Sequence, residues 1–375
     1  MDVQDFEKTL QGVTEKVRRN AVRFGERFPP DVTAHLDYSA GLGGNVGWTT
    51  GFWLGQLWLT YQLTRWDQIR DLARSLGPTF DERLAAGVGV DHDLGMLFLP
   101  SRVLEYRLTG DEQSRAGALR AASALASRFR QPGQFIQAWG APDDPQEAGR
   151  TIIDSMMNIP LLFWAHGETG DRLLYDRAMR HALTVGRYLV RGDGSSYHTF
   201  FFDVASGQPV GGRTHQGHSD GSTWARGQAW GLYGFALAYR LSGEARFLRH
   251  SQQLAGYFLS HLPEDGVCYW DLDRSDPEEP RDTSAAAIAA CGLMELAAHV
   301  GGGLAKDYRG AARMMVCRLA ERYRAPDEKE GLLAEAVADL PRGRGVREST
   351  LYGDYFFLEA LVRLLGKDVR LPWLF

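Results

Sequence analysis

The chain has 375 residues, 44% of them hydrophobic, with a formal net charge of −5 and three cysteines. That length and apolar content can build a substantial core without disulfides, and one large toroid or barrel fits them as well as two domains do. The mild acidity and the absence of a basic tract argue against nucleic acid as a partner. Cys268, Cys291 and Cys317 are too scattered for a metal knuckle and read as reduced thiols.

The first segment, MDVQDFEKTLQGVTEKVRRN, reads as a polar amphipathic helix near 3–26. It lacks the apolar run of a signal peptide or a membrane span, so a cytoplasmic protein is expected. From there two kinds of helix alternate. Largely apolar helices are predicted near 51–64, 93–108, 151–167, 223–241, 282–299 and 350–365. Amphipathic, more charged ones are predicted near 3–26, 67–86, 111–130, 171–190, 244–262 and 304–323. Glycines such as Gly110, Gly170 and Gly243 close the apolar members, supplying the left-handed conformation that ends a helix. Six buried helices inside six amphipathic ones predict an all-α fold, an (α/α)6 barrel formed by one domain over 1–375. The stretch near 192–222 breaks the pattern. Tyr197–Phe202 is β-prone, and 207–212 is its expected hairpin partner within a long, glycine-rich connection of the kind that usually carries function.

The chemistry centres on Arg150–Trp164, RTIIDSMMNIPLLFW, which reads as a buried inner helix carrying a carboxylate, Asp154. A charge in such surroundings must find partners or take up a proton, and a neutral acid inside a cleft is what general acid catalysis needs. Asn158, one turn later, shares its face. In VDHDLGMLF, Asp91 suits a helix cap, while Asp93 at the mouth of an inner helix is the candidate second carboxylate. Trp48 and Trp53, Trp139, and Trp224 and Trp230 gather near the same helix ends. Any one of them is more often core than ligand platform. Intervening glycines, Gly51, Gly55, Gly227 and Gly231, are expected to leave room for a sugar ring. Arg226 shares a face with Trp230, which points to an acidic sugar. His198, His215 and Gln216 are assigned hydrogen-bonding roles. The spacing of His215 and His218 with Asp220 also permits a metal, without a rigid helix to set its geometry. No phosphate-cradling loop and no nucleophile elbow occur.

These segments resemble the unsaturated glucuronyl hydrolases, glycoside hydrolase family 88. The resemblance is carried by WTTGFWLGQLWL, DHDLGMLF, IQAWG, GRTIIDSMMNIPLL, YLVRGDGSSYHTFFFD, GGRTHQGHSDGSTWARGQAWGLYGFAL, RDTSAAAIAACGL and LYGDYFFLEAL. It implies a cytoplasmic (α/α)6-barrel enzyme that removes a 4,5-unsaturated uronic acid from the non-reducing end of lyase-generated oligosaccharides. By the same resemblance Asp154 is the acid and base, adding a proton at C4 and water at C5, and Asp93 is the second essential carboxylate. Trp48, Trp139, His198, His215, Gln216, Trp224, Arg226 and Trp230 hold the sugar. No metal or organic cofactor is implied. The partners are a small oligosaccharide substrate, with no nucleic acid and no membrane, in a monomer or weak homo-oligomer.

Three departures stand out. Asp91 replaces a histidine common in the family and would raise the pKa of Asp93 if both faced the cleft. Thr50 stands where an aspartate usually precedes GFW. A tyrosine that often lines the site is missing from the segment containing Ala336, Val337 and Ala338. Two alternatives remain open: an unsaturated rhamnogalacturonyl hydrolase of the same fold, and a sugar epimerase working through histidine bases such as His198, His215 and His218.

Overall fold

The computed structural model describes residues 1–375. In chain order, helix α1 (Val3–Phe24) is outer and α2 (Thr50–Thr64) inner. Helices α3 (Asp67–Leu76) and α4 (Pro78–Ala85) are outer again. Next, α5 (Leu94–Phe98) continues through a π-helical turn at Leu99–Val103 into α6 (Leu104–Thr109), and α7 (Glu112–Ser127) covers it. Strands β1 (Phe129–Arg130), β2 (Phe135–Ile136) and β3 (Arg150–Ile152) lead to a 3-10 turn at Ile153–Met157, followed by inner helix α8 (Pro160–Thr169) and outer α9 (Arg172–Tyr188). After β4 (Thr199–Phe202) and β5 (Pro209–Arg213) come the pairs α10 (Ala225–Ser242) with α11 (Ala245–Ser260) and α12 (Thr283–Ala297) with α13 (Gly302–Arg322). The chain then forms β6 (Ala336–Asp339), β7 (Arg344–Glu348) and the last inner helix, α14 (Leu351–Leu364).

The inner and outer helices differ in what they bury. Helix α14 buries every residue from Leu351 to Val362. Helix α11 buries only Phe247, Ser251, Leu254, Ala255 and Phe258, a single stripe at helical spacing. The inner ring closes because α14 packs on α2 as well as on α12, and α1 covers that seam. The expected barrel of six inner and six outer elements is present.

Several boundaries differ from expectation. The predicted helix over 67–86 breaks at Gly77, and Pro78 starts α4 at its first position. The one over 93–108 contains Pro100, whose missing N–H and bulky ring account for the π turn. The largest correction concerns Arg150–Trp164. It is not one helix: a strand, a 3-10 turn and a helix beginning at Pro160 share it. The expected hairpin forms between β4 and β5, with Phe200 opposite Gly212, and β3 adds to it with Arg150 opposite Phe201. A second hairpin, β6–β7, was not anticipated.

The inner glycines do not open space for a sugar. A Cβ on Gly51 would meet the Met96 and Leu97 carbonyl oxygens at 2.4 and 2.6 Å. On Gly55 it would meet Tyr355 and on Gly231 Ile153 and Leu254, so these glycines let helices and turns approach one another, while on Gly227 it would meet first the Trp224 ring and then Ile153. Gly95 does the same at the site, where a Cβ would fall 2.3 Å from the Cα and carbonyl oxygen of Asn158.

Candidate active site

The N-terminal ends of α2, α5, α10 and α14, the 3-10 turn after β3, and strand β6 surround a cavity of about 170 Å³. Nine of the ten residues singled out from sequence line it: Asp93, Asp154, Trp48, Trp139, His215, Gln216, Trp224, Arg226 and Trp230. The tenth, His198, is buried behind the wall with its ring 4.2 Å from that of Trp224. Trp53 is core, packed 5.2 Å from Phe24.

Asp154 sits in the 3-10 turn, and the turn is fixed from both sides. The Ile153 N–H donates to the His198 carbonyl at 3.1 Å. Ser155 Oγ lies 2.8 Å from His181 Nε2, and His181 Nδ1 accepts from the Ile136 N–H at 2.9 Å. Asp93 stands at the start of α5. Here Asn158 does not partner the Asp154 carboxylate, as a shared helix face would have required. Its Oδ1 accepts from the Met96 N–H at 2.7 Å, and its Nδ2 donates to Asp93 Oδ1 at 3.3 Å and to the Asp154 carbonyl at 3.4 Å. Asn158 and Gly95 together hold α5 against the turn and bring the two carboxyls to one place.

The electrostatics suit an acid. Asp154 Oδ1 is buried without a hydrogen-bond partner, although the residue as a whole is partly open to the cavity. Desolvation, and then the negative charge of Asp93, raise the Asp154 pKa well above the usual carboxylate range. Desolvation also pushes Asp93 up to about 7, against the pull of Asn158, Arg128 and Arg83. Two neighbouring acids with raised pKa values hold a proton near neutral pH, as general acid catalysis requires.

The departures have structural answers. Asp91 does not line the cavity; its Oδ1 accepts from the Asp93 N–H at 2.9 Å, so it caps the turn. Thr50 donates to Asn45 Oδ1 at 2.6 Å and accepts from Arg83, closing the start of α2. A tyrosine does line the cavity, but from α14: Tyr352 stacks on Trp48 with ring centroids 5.2 Å apart. Sequence reasoning missed Tyr352 as a site residue, although it lies in LYGDYFF. It also missed Asp31, Asp339 and Arg344, which reach the cavity from the unanticipated second hairpin and a loop paired with α14.

Arg226 lines the cavity and also braces its wall. Its Nη1 is paired with Asp282 at 2.9 Å and its Nη2 donates to the Ala338 carbonyl at 2.7 Å, while Nη1 also donates to Val337. Three of the five donors of a guanidinium are thus committed to the wall. Arg226 braces β6, with its face 4.5 Å from the Trp224 ring and 5.0 Å from the Tyr352 ring. Gln216 joins this brace by donating to the same Ala338 carbonyl at 2.7 Å.

The histidines do not form base or metal pairs with one another. His198 Nδ1 accepts from the backbone N–H groups of His215 and Gln216 at 3.1 and 3.2 Å, which leaves the proton on Nε2. His215 faces Trp139 and Arg342, and His218 lies against Trp270. His198 therefore has no free lone pair with which to act as a base. A different cluster is present: ligand-type atoms of His92, Asp93 and Asp154 lie within 4.8 Å of one another.

A toroid of helices around an aromatic cleft with two protonatable carboxyls defines a glycoside-processing enzyme. Residues 20–338 match the sequence pattern of Glycosyl Hydrolase Family 88. The unsaturated glucuronyl hydrolase of Bacillus sp. (strain GL1) is 44% identical over 352 residues, covering 92% of this chain and 93% of that protein. The unsaturated chondroitin disaccharide hydrolase of Streptococcus pyogenes serotype M1 is 41% identical over 376 residues, covering 99% and 93%. A crystal structure of an unsaturated glucuronyl hydrolase mutant from Streptococcus agalactiae, complexed with dGlcA-GalNAc6S, has a TM-score of 0.88 at 35% identity, covering 100% and 94%. The chain belongs to glycosyl hydrolase family 88.

Proposed function

We propose that this protein hydrolyses the linkage of a 4,5-unsaturated uronic acid at the non-reducing end of small oligosaccharides, with glycosaminoglycan disaccharides as the first substrates to test. One observation supports this above the rest: the unpartnered carboxyl of Asp154, beside Asp93, in a cavity walled by Trp48, Trp139, Trp224, Trp230 and Tyr352. Protonated Asp154 gives its proton to C4 of the C4–C5 double bond. Water adds its oxygen at C5 and returns a proton to the carboxylate. The resulting hemiketal opens, and the second sugar leaves. Asp93 orients the reacting sugar and, by its charge, keeps Asp154 protonated.

The whole chain acts as one catalytic domain in this reading, because first and last inner helices complete the same ring. No helix is long and apolar enough to cross a membrane. A cytoplasmic location and a monomeric or weakly associating state complete the reading, to be checked by cell fractionation and sedimentation.

The test is a panel of unsaturated disaccharides that varies only the second sugar and its sulfation, with a rhamnose member included. Loss of the ultraviolet absorbance of the conjugated acid, abolished in Asp154→Asn, is the expected result. Persistent absorbance across the panel would refute the reading, and a preference for the rhamnose member would favour the rhamnogalacturonyl alternative.

A further inference from the structure

His92 takes no part in the reaction outlined above, yet it lies against its centre. The side chain is 1% exposed, and both ring nitrogens are buried without a hydrogen-bond partner. A buried imidazole ordinarily donates from one nitrogen and accepts at the other, so two orphaned nitrogens are unusual. Nε2 is 3.6 Å from Asp93 Oδ1, and one nitrogen is within 4.8 Å of both an Asp93 and an Asp154 carboxylate oxygen. Asp154 contributes an unpartnered Oδ1 to the same space.

We propose that His92, Asp93 and Asp154 form a binding site for one divalent transition-metal ion of the zinc type, and that metal bound there inhibits the enzyme. One imidazole nitrogen with two carboxylate oxygens is a ligand set for zinc or its neighbours, whereas calcium takes six to eight oxygens. Ligands about 2 Å from a tetrahedral ion lie roughly 3.3 Å apart, so the widest separation here must close by about 1.5 Å, within reach of side-chain rotation. The fourth position of a tetrahedral ion is left for water. A metal at this place replaces the proton that Asp154 must deliver and occupies the space of the sugar. Substrate and metal therefore exclude each other. Binding depends on the geometry alone; the inhibition depends also on the hydrolase reading above.

The experiment uses the full chain after chelator treatment. Cobalt(II) is titrated while its visible absorption is followed, and zinc is titrated by calorimetry; turnover of an unsaturated disaccharide is then measured over the same zinc concentrations. One ion per chain is expected, with inhibition competitive with substrate. His92→Gln and Asp154→Asn should each weaken binding by more than about tenfold, since even outer-shell partners of a metal are worth that much. His218→Gln, which alters the alternative His-x-x-His pair outside the cavity, should bind as the wild type does. Circular dichroism establishes that each variant is folded, and if His92→Gln is not, Asp154→Asn decides. No binding to the wild type, or binding retained in the folded variants, would overturn the proposal. Metal binding to a protein without hydrolase activity would leave the site standing and remove only the inhibition.

Discussion

The barrel buries carboxylates both toward the C-terminal ends of its inner helices and at the cavity, and Glu295 and Glu359 in the first place are treated in the opposite way to Asp93 and Asp154 in the second. Toward the C-terminal ends, Glu295 of α12 is paired with Arg240 at 2.5 Å, with His299 at 2.8 Å and with Arg363 at 3.2 Å. Beside it, Glu359 of α14 accepts from Tyr233 at 2.6 Å, Tyr355 at 2.8 Å and Trp373 at 3.1 Å, and is paired with Arg363 at 2.8 Å. Burial raises the pKa of Glu295, but His299, Arg363 and Arg240 outweigh it and hold the group at about 2. At the cavity end, Asp93 and Asp154 have little to offset desolvation, and both are raised. Burial of an acid is therefore no sign of catalysis by itself. What marks the reactive pair is the scarcity of partners around it.

The sharpest way to break this contrast is Asp154→Asn, which keeps the shape and removes the transferable proton. Turnover should fall by roughly 10³-fold, within the span that general acid–base groups contribute. Loss of less than about tenfold, in a stopped or continuous absorbance assay, would move the acid elsewhere.

At the other end, Glu295→Gln leaves Arg240 and Arg363 short of an anion. A loss of about 3 kcal/mol in unfolding free energy is expected from urea denaturation, with turnover per folded molecule unchanged. The sign with pH follows from the lowered pKa: the stability Glu295 contributes is present above its unfolded value of about 4.3 and is lost as pH falls toward about 2.

The reactive pair has the reverse sign. A raised native pKa means the folded protein holds a proton that the unfolded chain releases between roughly pH 4 and 7. Stability is therefore lost as pH rises through that window. Asp93→Asn should remove this penalty, raising unfolding free energy at pH 8 by on the order of 2 kcal/mol while leaving it little changed at pH 4. A variant less stable than the wild type at pH 8 would show that Asp93 is stabilised by its surroundings, as Glu295 is.

These two regions were not equally legible from sequence. The ring of helices followed from alternating apolar and amphipathic stretches with glycine stops, and the aromatic and acidic residues of the cavity followed from motif resemblance. The local structure around Asp154 did not. A run as apolar as Ile152–Trp164 is compatible with a buried helix, and only Pro160 signalled that a helix starts there; pairing of β3 with β4 is a long-range event that periodicity cannot show. The bracing role of Arg226 was hidden for a related reason, because its partners Asp282, Val337 and Ala338 lie 56 to 112 residues away. Tyr352 and Arg344 escaped notice because they belong to a helix start and a hairpin that reach the cavity only once the ring closes.

The smallest expected effect tests the boundary of the reactive pair. Asp91 is two residues from Asp93 and is itself pushed up to about 6, by desolvation first and by Asp93 second. Its Oδ1 accepts the Asp93 N–H, a role that the side-chain oxygen of asparagine fills equally well. Asp91→Asn should therefore change stability by no more than about 0.5 kcal/mol. It does remove one of the negative charges that raise Asp154. The acid then loses its proton at lower pH, so the alkaline limb of the kcat profile should move down, by less than about one pH unit. A rate loss comparable to that of Asp154→Asn would instead place Asp91 among the residues that touch the sugar, and the line drawn here between capping and catalysis would have to move.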